Sequence, residues 1–460
     1  MIMTNPIDVD YFQKVIDKID PKVDYADIRV GDSTNNAIIM KDGKIDNVDT
    51  GINFAVSIRV LKNGAWGSAY TTEISKVEEV AEKAVQLASK LRSDVELTKA
   101  NPQEDVVKSE AKLKIEDVDF DEKIQAMKDA NNAAVADEIK STSITFSEAQ
   151  SQNLLLSTES MNILSNNNRL IFSMNCVANE GNIMQFSHNS IGGVGGFEIV
   201  QNADLNEFGE ELSKKAISLL DAKTPPSGKF PVILDSELAG VFIHEALGHA
   251  SEADIILQND SILKDKMGEK IGSELITVID DASRKDGFGY YKYDVEGTKT
   301  SKNTLVTDGV LTSLLSSRQT AQKLGMESSG NARSPIKDQP IVRMSNTYIK
   351  PGDSSFDELI EDMHDGIYLK GSSGGQVDTG RGVFQFNADE AYTIENGELK
   401  DHLRDVSLSG STLDILNHVV GVGSDFNLSV GFCGKDGQTA PVGDGGPHIK
   451  VSEAVVGGSQ

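Results

Sequence analysis

His244 and His249 stand five residues apart with Glu245 between them, in a chain of 460 residues that contains only seven histidines. Neutral imidazoles are common zinc ligands, and a carboxylate beside one of them can accept a proton from metal-bound water. These residue types therefore predict a zinc hydrolase site with Glu245 as the general base. The alternative interpretation is a helix with two incidental histidines, one of them satisfied in the core.

The spacing of the two histidines constrains the geometry of the helix that carries them. Residues five apart are separated by about 140° around a regular helix, so their side chains cannot converge on one ion. The spacing therefore predicts a kink or a one-residue bulge between His244 and His249, a distortion that often occurs at functional sites. We expect Gly248 to ease the distortion and Ser236 to cap the start of the helix.

A catalytic zinc ion takes three protein ligands and keeps one position open for water. The candidates for the third ligand are Glu252, Asp254, Cys433 and His448. Glu252 lies on the face of His249 if the helix continues, whereas Asp254 lies off that face. Cys433 lies in a segment predicted as a glycine-rich loop, but a lone cysteine is more often a small buried hydrophobe. Spacing alone leaves the third ligand open.

Two further groups of residues could contact a substrate. Gly374 and Gly375 belong to a glycine-rich segment, and glycines beside a strand let a peptide approach a sheet edge. Ordinary turn chemistry is the alternative for this segment. Arg333 and Arg343 flank a polar loop that contains two prolines. We expect these arginines to form salt bridges, with a substrate carboxylate as the alternative partner.

The first half of the chain repeats one pattern, in which a helix, antiparallel strands and a second helix occur twice, offset by roughly 110–130 residues. Prolines and small residues at 222–228 mark the clearest boundary. The pattern predicts an α+β fold with an internal duplication. The predicted parts are a first α+β module (1–93), a linker or long loop (94–118), a second α+β module (119–224) and a glycine-rich mixed α/β catalytic domain (225–460).

Composition narrows the classes of function and location. The formal net charge is −27 with no block of lysine or arginine to offset it, so nucleic acid is not an expected partner. No apolar run approaches the roughly 18 residues that span a membrane. The first ten residues lack the features of a secretory signal, and two cysteines cannot build a disulfide framework. We therefore expect a cytoplasmic protein.

Several segments, taken together, resemble the signatures of the TldD family of metalloproteases, also called the TldD/PmbA superfamily. They occur in the family's order and cover the catalytic half, while the first half fits in length and layout. Ser372 and Ser373 depart from a more glycine-rich version of the middle block. The matching segments are 244–254, 374–378, 390–397, 433–438 and 441–445.

The resemblance implies a zinc peptidase that acts on unfolded or leader-bearing peptides, with one zinc ion per chain. The catalytic TldD-type member keeps the histidine signature, as this chain does. By resemblance, the metal ligands would be His244, His249 and Cys433, the catalytic carboxylate Glu245, and the supporting residues Glu252 and Asp254.

The resemblance also implies a partner. The working unit of the family is typically a heterodimer with a sister subunit, TldE or PmbA, which lacks the histidine signature. Two rival functions stay open at this point. One is a regulatory subunit that binds a peptide or a partner without cutting it. The other is a zinc hydrolase that acts on non-peptide amides.

Overall fold

The first half of the chain forms long strands and short helices in alternation. A computed structural model describes residues 7–458 of the protein. None of the helices in this range has the length and apolar composition that a membrane crossing requires. The elements up to the predicted boundary are α1 (Val9–Ile19), β1 (Tyr25–Lys41), β2 (Lys44–Lys62), β3 (Ala65–Thr71), α2 (Val77–Lys90), β4 (Gln103–Val107), α3 (Phe120–Ala133), β5 (Ile139–Ser157), β6 (Met161–Glu180), β7 (Ile183–Val194), α4 (Glu198–Gln201) and α5 (Leu205–Ser218).

Both repeats of this pattern contribute to a single sheet. Its seven strands follow the order β3-β2-β1-β5-β6-β4, and β7 also pairs with β6, along the same edge as β4. The hairpin between β1 and β2 turns at Asp42-Gly43, where both residues have positive φ, as a two-residue hairpin turn requires. The segment 94–118, which the sequence predicts as a linker or long loop, contains β4, so that prediction is wrong for residues 103–107.

The two faces of this sheet have different partners. Alternate residues such as Ile28 and Val30 are fully buried beneath α1 and α2, and β5 and β6 are covered in the same way by α3 and α5. The opposite face points to the second half of the chain. Arg29 on that face donates to Ser334, and Arg59 donates to Glu296. Period-two alternation thus separates an apolar core from a polar face between the two halves.

The second half of the chain contains many short strands. Its elements are β8 (Gly228–Leu234), α6 (Ser236–Phe242), α7 (Ala253–Leu257), β9 (Val278–Asp281), β10 (Lys302–Thr307), β11 (Val310–Leu311), α8 (Arg318–Leu324), β12 (Ala332–Arg333), β13 (Ile341–Val342), β14 (Asn346–Ile349), α9 (Phe356–Glu361), β15 (Gly366–Lys370), β16 (Gly375–Asp378), β17 (Val383–Ala388), β18 (Glu390–Glu395), β19 (Glu398–Leu403), β20 (Val406–Ser411), α10 (Thr412–Asn417), β21 (Val419–Val422), β22 (Asn427–Lys435), β23 (Gln438–Gly446) and β24 (Ile449–Gly458).

Two sheets enclose α6 in this half. One has six strands in the order β11-β10-β9-β14-β23-β22, and the other has nine, in the order β16-β17-β20-β24-β8-β15-β18-β19 with β21 beside β24. Helix α6 contacts β14, β22 and β23 of the first sheet and β8 and β15 of the second. Phe242, Ile243 and Leu247 are fully buried in the largest apolar core. The α+β class predicted from the sequence is confirmed.

Candidate metal centre

The helix that carries the two histidines changes its winding just before them. Its N-cap is Asp235, whose side chain accepts a hydrogen bond from the Leu238 amide at 2.8 Å, so the prediction of Ser236 as the cap is wrong by one residue. After Phe242 the α-helix becomes a π-helix over Ile243–Gly248, and a short 3-10 turn follows.

The π-helix aligns the histidines. Its hydrogen bonds join residues five apart, and the His249 amide donates to the His244 carbonyl. The predicted one-residue bulge is therefore present. Gly248 itself has an ordinary helical conformation, with φ −57° and ψ −56°. A Cβ at this position would lie 2.1 Å from Sδ of Met344. Glycine is therefore needed here for close packing rather than for backbone freedom.

Cys433 reaches the two histidines from the other end of the chain. It lies on β22, which pairs with β23, so the predicted glycine-rich loop is a strand at this position. Its Sγ lies 3.2 Å from Nε2 of His249. One ligand atom from each of His244, His249 and Cys433 lies within 4.8 Å of the others, and all three residues are buried.

The other candidates for the third ligand have different partners. His448 lies away from this group, with Nδ1 2.8 Å from Asp425 and Nε2 3.0 Å from the Tyr368 hydroxyl. Glu252 ends the 3-10 turn of His249–Ser251 and accepts a hydrogen bond from Nδ1 of His249 at 3.0 Å. Asp254 accepts from the Val342 amide. Neither carboxylate is among the three converging residues.

The converging residues suit a zinc ion. Two imidazoles and one thiolate make up a donor set that catalytic zinc sites use, and three protein ligands leave a fourth position open. Nδ1 of His244 is buried and has no hydrogen-bond partner among the described residues. The side chain of Glu245 keeps 36% of its surface exposed, and its Oε2 lies 4.0 Å from Nε2 of His249. A carboxylate thus lies beside the open side of the group.

Charged side chains surround the ring nitrogen of His249 that faces away from Cys433. Nζ of Lys435 lies 3.0 Å from Glu252 and 2.8 Å from Asp254. Glu252 in turn receives the Nδ1 proton of His249, which directs Nε2 toward Cys433. Such a bond to the distal nitrogen fixes the tautomer and orientation of a ligand imidazole. Glu252 therefore bonds His249 of the candidate metal group, which consists of His244, His249 and Cys433, and Asp254 is linked to Glu252 through Lys435.

The local charges favour the thiolate form of Cys433. Burial opposes ionisation, but hydrogen bonds from His244 and His249, together with their charges, lower the pKa of the Cys433 thiol to about 5. Burial also disfavours the charged form of His249, yet Glu252 and Cys433 raise its pKa well above the usual value. Because sulfur binds metals as the thiolate, the negative charge on Cys433 favours binding of a cation by this group.

Comparison with known proteins agrees with these motifs. Three consecutive domains described as PmbA/TldA metallopeptidase match this chain, with domain 1 at 26–88, the central domain at 113–220 and the C-terminal domain at 227–458. The chain belongs to the PmbA/TldD family.

Two members of the family show how far the similarity extends. A protein of Methanothermobacter thermautotrophicus named metalloprotease is 52% identical over 98% of this chain and 100% of its own length. A protein of Saccharolobus solfataricus named zinc metalloprotease TldD homolog is 33% identical over 94% of this chain and 96% of its own length. The similarity to the family therefore spans nearly the whole chain.

A solved structure shares the fold. The crystal structure of TldE from Thermococcus kodakarensis superposes with a TM-score of 0.76, covers 97% of this chain and 100% of its own, and is 20% identical in sequence. At that identity, the likeness concerns the fold alone. The arrangement of three sheets described above is therefore an arrangement that the PmbA/TldD family uses.

Asp444 is a residue of this site that the sequence did not single out. It lies on β23 and is buried, and burial raises the pKa of its carboxyl to about 6, while the charge of His244 opposes that rise. Gly445 beside it touches α6, because a Cβ on Gly240 would lie 2.5 Å from the Gly445 backbone. The signal in the sequence was an acidic residue enclosed by glycines, which permit this close approach.

The segment of Gly374 and Gly375 lies next to the metal group. Gly375 begins β16, the terminal strand of the nine-stranded sheet, which pairs with β17 on one side. Both glycines are exposed, and β16 contacts the π-helix of His244 and His249. A Cβ on Gly375 would lie 2.3 Å from the Gln385 carbonyl. The terminal strand of this sheet therefore lies beside the π-helix, with both glycines exposed.

A second group of polar residues was not expected from the sequence. His188 on β7 has one ligand atom within 4.8 Å of carboxylate oxygens from Glu237 and Asp389. The sequence gives no signal for this group, because β7 approaches α6 only in the folded chain. Asp389 already pairs with Lys215 at 2.5 Å, so much of the negative charge of this group is compensated by a lysine.

Proposed function

We propose that this chain is a zinc-dependent peptidase of the TldD type that hydrolyses unfolded or leader-type peptides, with Glu245 as the general base. One observation carries the proposal: His244, His249 and Cys433 converge within 4.8 Å beside the partly exposed Glu245. The names of the relatives, metalloprotease and zinc metalloprotease TldD homolog, support both the reaction and the metal.

Each residue of the site has a part in the proposed reaction. His244, His249 and Cys433 would hold a zinc ion, which would supply a more acidic water molecule and a Lewis acid for the scissile carbonyl. Glu245 accepts the proton of the attacking water and passes it to the leaving amine. Glu252 and Lys435 keep His249 oriented by the contacts described above. Glu245 has no such role in holding a ligand, which leaves it free to move a proton.

The proposed substrate is a peptide in extended conformation. An extended segment can add to the exposed edge of β16 through backbone hydrogen bonds, a mode that gives little side-chain selectivity. The contact of β16 with the π-helix would bring such a segment to the metal group. A folded protein does not offer a free extended backbone, so this mode selects unfolded chains and leader segments.

We further propose that the chain acts in the cytoplasm and pairs with a TldE/PmbA-like sister subunit. The shared fold with TldE from Thermococcus kodakarensis supports a related pair of subunits. Co-expression with such a subunit and size-exclusion chromatography test the pairing. Elution of the two chains in one peak is expected, and separate elution of two active proteins would contradict it.

The function is tested by comparing zinc-loaded wild type with Glu245→Gln on a library of unstructured peptides and a panel of small non-peptide amides. We expect peptide cleavage to fall by about 10²- to 10⁴-fold in the variant, because a general base contributes that much, while zinc content is unchanged. The exposed Glu274, changed to Gln, is the matched control.

Two other results would point to a rival function, and a third would change only the assignment of the base. Peptide binding without cleavage by the zinc-loaded wild type would indicate a regulatory binding subunit. Turnover of small amides but not of peptides would indicate an amidase. Full peptide cleavage by Glu245→Gln with zinc retained would contradict the assignment of the base while leaving the peptidase function in place.

A further inference from the structure

A cavity of about 690 Å³ lies between the two halves of the chain. Its wall on one side is the polar face of the seven-stranded sheet, with serines and asparagines of β1, β5 and β6. The opposite wall is formed by segments around Tyr291, Ser334 and Ala440. Its volume is within the range of ligand sites in proteins.

Four arginines line this cavity: Arg29, Arg169, Arg333 and Arg343. Arg333 and Arg343 were expected to form salt bridges, and that expectation is wrong. Among residues 7–458, no carboxylate lies within 4.0 Å of the guanidinium of Arg169, Arg333 or Arg343, while Arg29 has Asp27 at 3.8 Å. These cations are unusual in a chain with a net charge of −27.

Neutral carbonyls replace the missing carboxylates. Arg169 donates to the carbonyls of Phe288 and Tyr290 at 3.2 and 2.7 Å. Arg333 donates to those of Met344 and Pro441 at 2.6 and 2.7 Å. These bonds hold the guanidinium groups in position without neutralising them, so the wall of the cavity keeps its positive charge.

Part of the donor capacity of these arginines is unused. Arg343 is 1% exposed, and its Nε is buried with no partner among the described residues. Asp294, a carboxylate that lines the cavity, accepts instead from the backbone amides of Glu296, Thr298 and Ala332. Because a buried guanidinium without a neighbouring negative charge is costly, the arrangement suits a site that an anion completes.

We propose that this cavity binds a carboxylate group of a peptide. Planar guanidinium groups bind carboxylates through paired hydrogen bonds, and the serine and asparagine side chains around them can bond a peptide backbone. The inference rests on the proposed function for the choice of a peptide. The group could be the C-terminal carboxylate or an acidic side chain, and both present the same chemistry.

The location connects this cavity to the metal group. Arg343 lines the cavity and also donates to the carbonyl of Cys433. Ala440, which pairs with Cys433 across the hairpin of β22 and β23, lines it as well. A peptide carboxylate bound here would lie behind the hairpin that supplies the thiolate, at a site separate from the scissile bond.

Binding is measured by calorimetry on metal-free Glu245→Gln protein, which excludes both turnover and coordination of the carboxylate by zinc. The probes are an acetylated alanine–serine hexapeptide with a free C-terminus, its C-terminal amide, and amides with a central glutamate or glutamine. We expect the free acid or the glutamate peptide to bind about 10- to 100-fold more tightly than its neutral counterpart, as a hydrogen-bonded charge provides. The probe that does so identifies the source of the carboxylate.

The variant Arg169→Met, added to the same protein, should abolish this preference, while the exposed Arg92→Met should keep it. Thermal unfolding checks that both variants are folded. If Arg169→Met is not folded, the comparison of charged with neutral peptides on the parent protein tests the proposal by itself. Equal binding of charged and neutral peptides, or inorganic phosphate that binds as tightly as the preferred peptide, would overturn the inference. These experiments measure binding and not cleavage. A failure of the peptidase proposal would instead be seen as absence of peptide cleavage by the zinc-loaded wild type, so the two failures can be told apart.

Discussion

Sγ of Cys433 lies 3.2 Å from Nε2 of His249, although 184 residues separate the two in the chain. The contact joins the strand β22 to the end of the π-helix, and His244 completes the group. Two distant segments therefore meet at this group, beside the ion pair of Lys435 with Glu252. The account of this protein as a metallopeptidase depends on that convergence.

The carboxylate behind His249 should govern metal affinity. Changing Glu252 to Gln keeps the shape of a fully buried side chain but removes the charge that holds Nδ1–H of His249. We expect zinc affinity to fall about 10- to 100-fold, measured by competition with a chromogenic chelator. Glu274→Gln is the exposed control. Unchanged affinity in a folded Glu252→Gln protein would show that His249 needs no such support.

Gly248 should be required for stability rather than for chemistry. Its added Cβ would lie 2.1 Å from Sδ of the buried Met344, so Gly248→Ala should lower stability by ~1–3 kcal/mol and reduce the thermal unfolding midpoint. Gly457→Ala, whose nearest neighbours would lie at 3.8 Å, is the control. The truncation Met344→Ala should lessen the effect of Gly248→Ala. A wild-type midpoint for Gly248→Ala alone would contradict the packing argument.

Glu390 should stabilise the fold in a pH-dependent way. Burial opposes its ionisation, but hydrogen bonds from His402 and Lys370 lower the pKa of its carboxyl to about 2. A depressed pKa in the folded state gives stability that is complete above the unfolded pKa of about 4.3 and is lost as pH falls toward 2. The expected contribution at pH 7 is about 3 kcal/mol.

The measurement is the difference in free energy of unfolding between wild type and Glu390→Gln at pH 7 and pH 3. The difference should shrink by about half at pH 3, whereas the exposed Glu395→Gln should differ little from wild type at either pH. A difference of the same size at both pH values would show that Glu390 acts through packing or neutral hydrogen bonds.

The distorted helix could be predicted because helix geometry alone makes a five-residue spacing incompatible with one face. The contact of Glu252 with His249 could be predicted only on the condition that the helix continues, and a 3-10 turn over His249–Ser251 provides that continuation. The spacing of residues in the sequence could not identify the third ligand. Cys433 comes from a distant part of the chain, on the strand β22 that pairs with β23. Family resemblance, rather than local physics, selected the cysteine.

The arginines illustrate another limit of the sequence. Salt bridges are the usual partners of arginine, but partners across a domain contact depend on tertiary structure. Arg333 and Arg343 lie against backbone carbonyls at the edge of a cavity, where no carboxylate of the described residues approaches within 4.0 Å. A local pattern of prolines and charges contains no information about that environment.

The most direct test of the account is the zinc content per chain, by elemental analysis, of wild type and Cys433→Ser purified without added metal. Cys176→Ala, at a buried cysteine in the core of the first sheet, is the matched control. The account predicts nearly one zinc per chain in wild type and control, and a sharp reduction in Cys433→Ser. Full zinc retention by Cys433→Ser, or a folded wild type that binds no zinc, would contradict it.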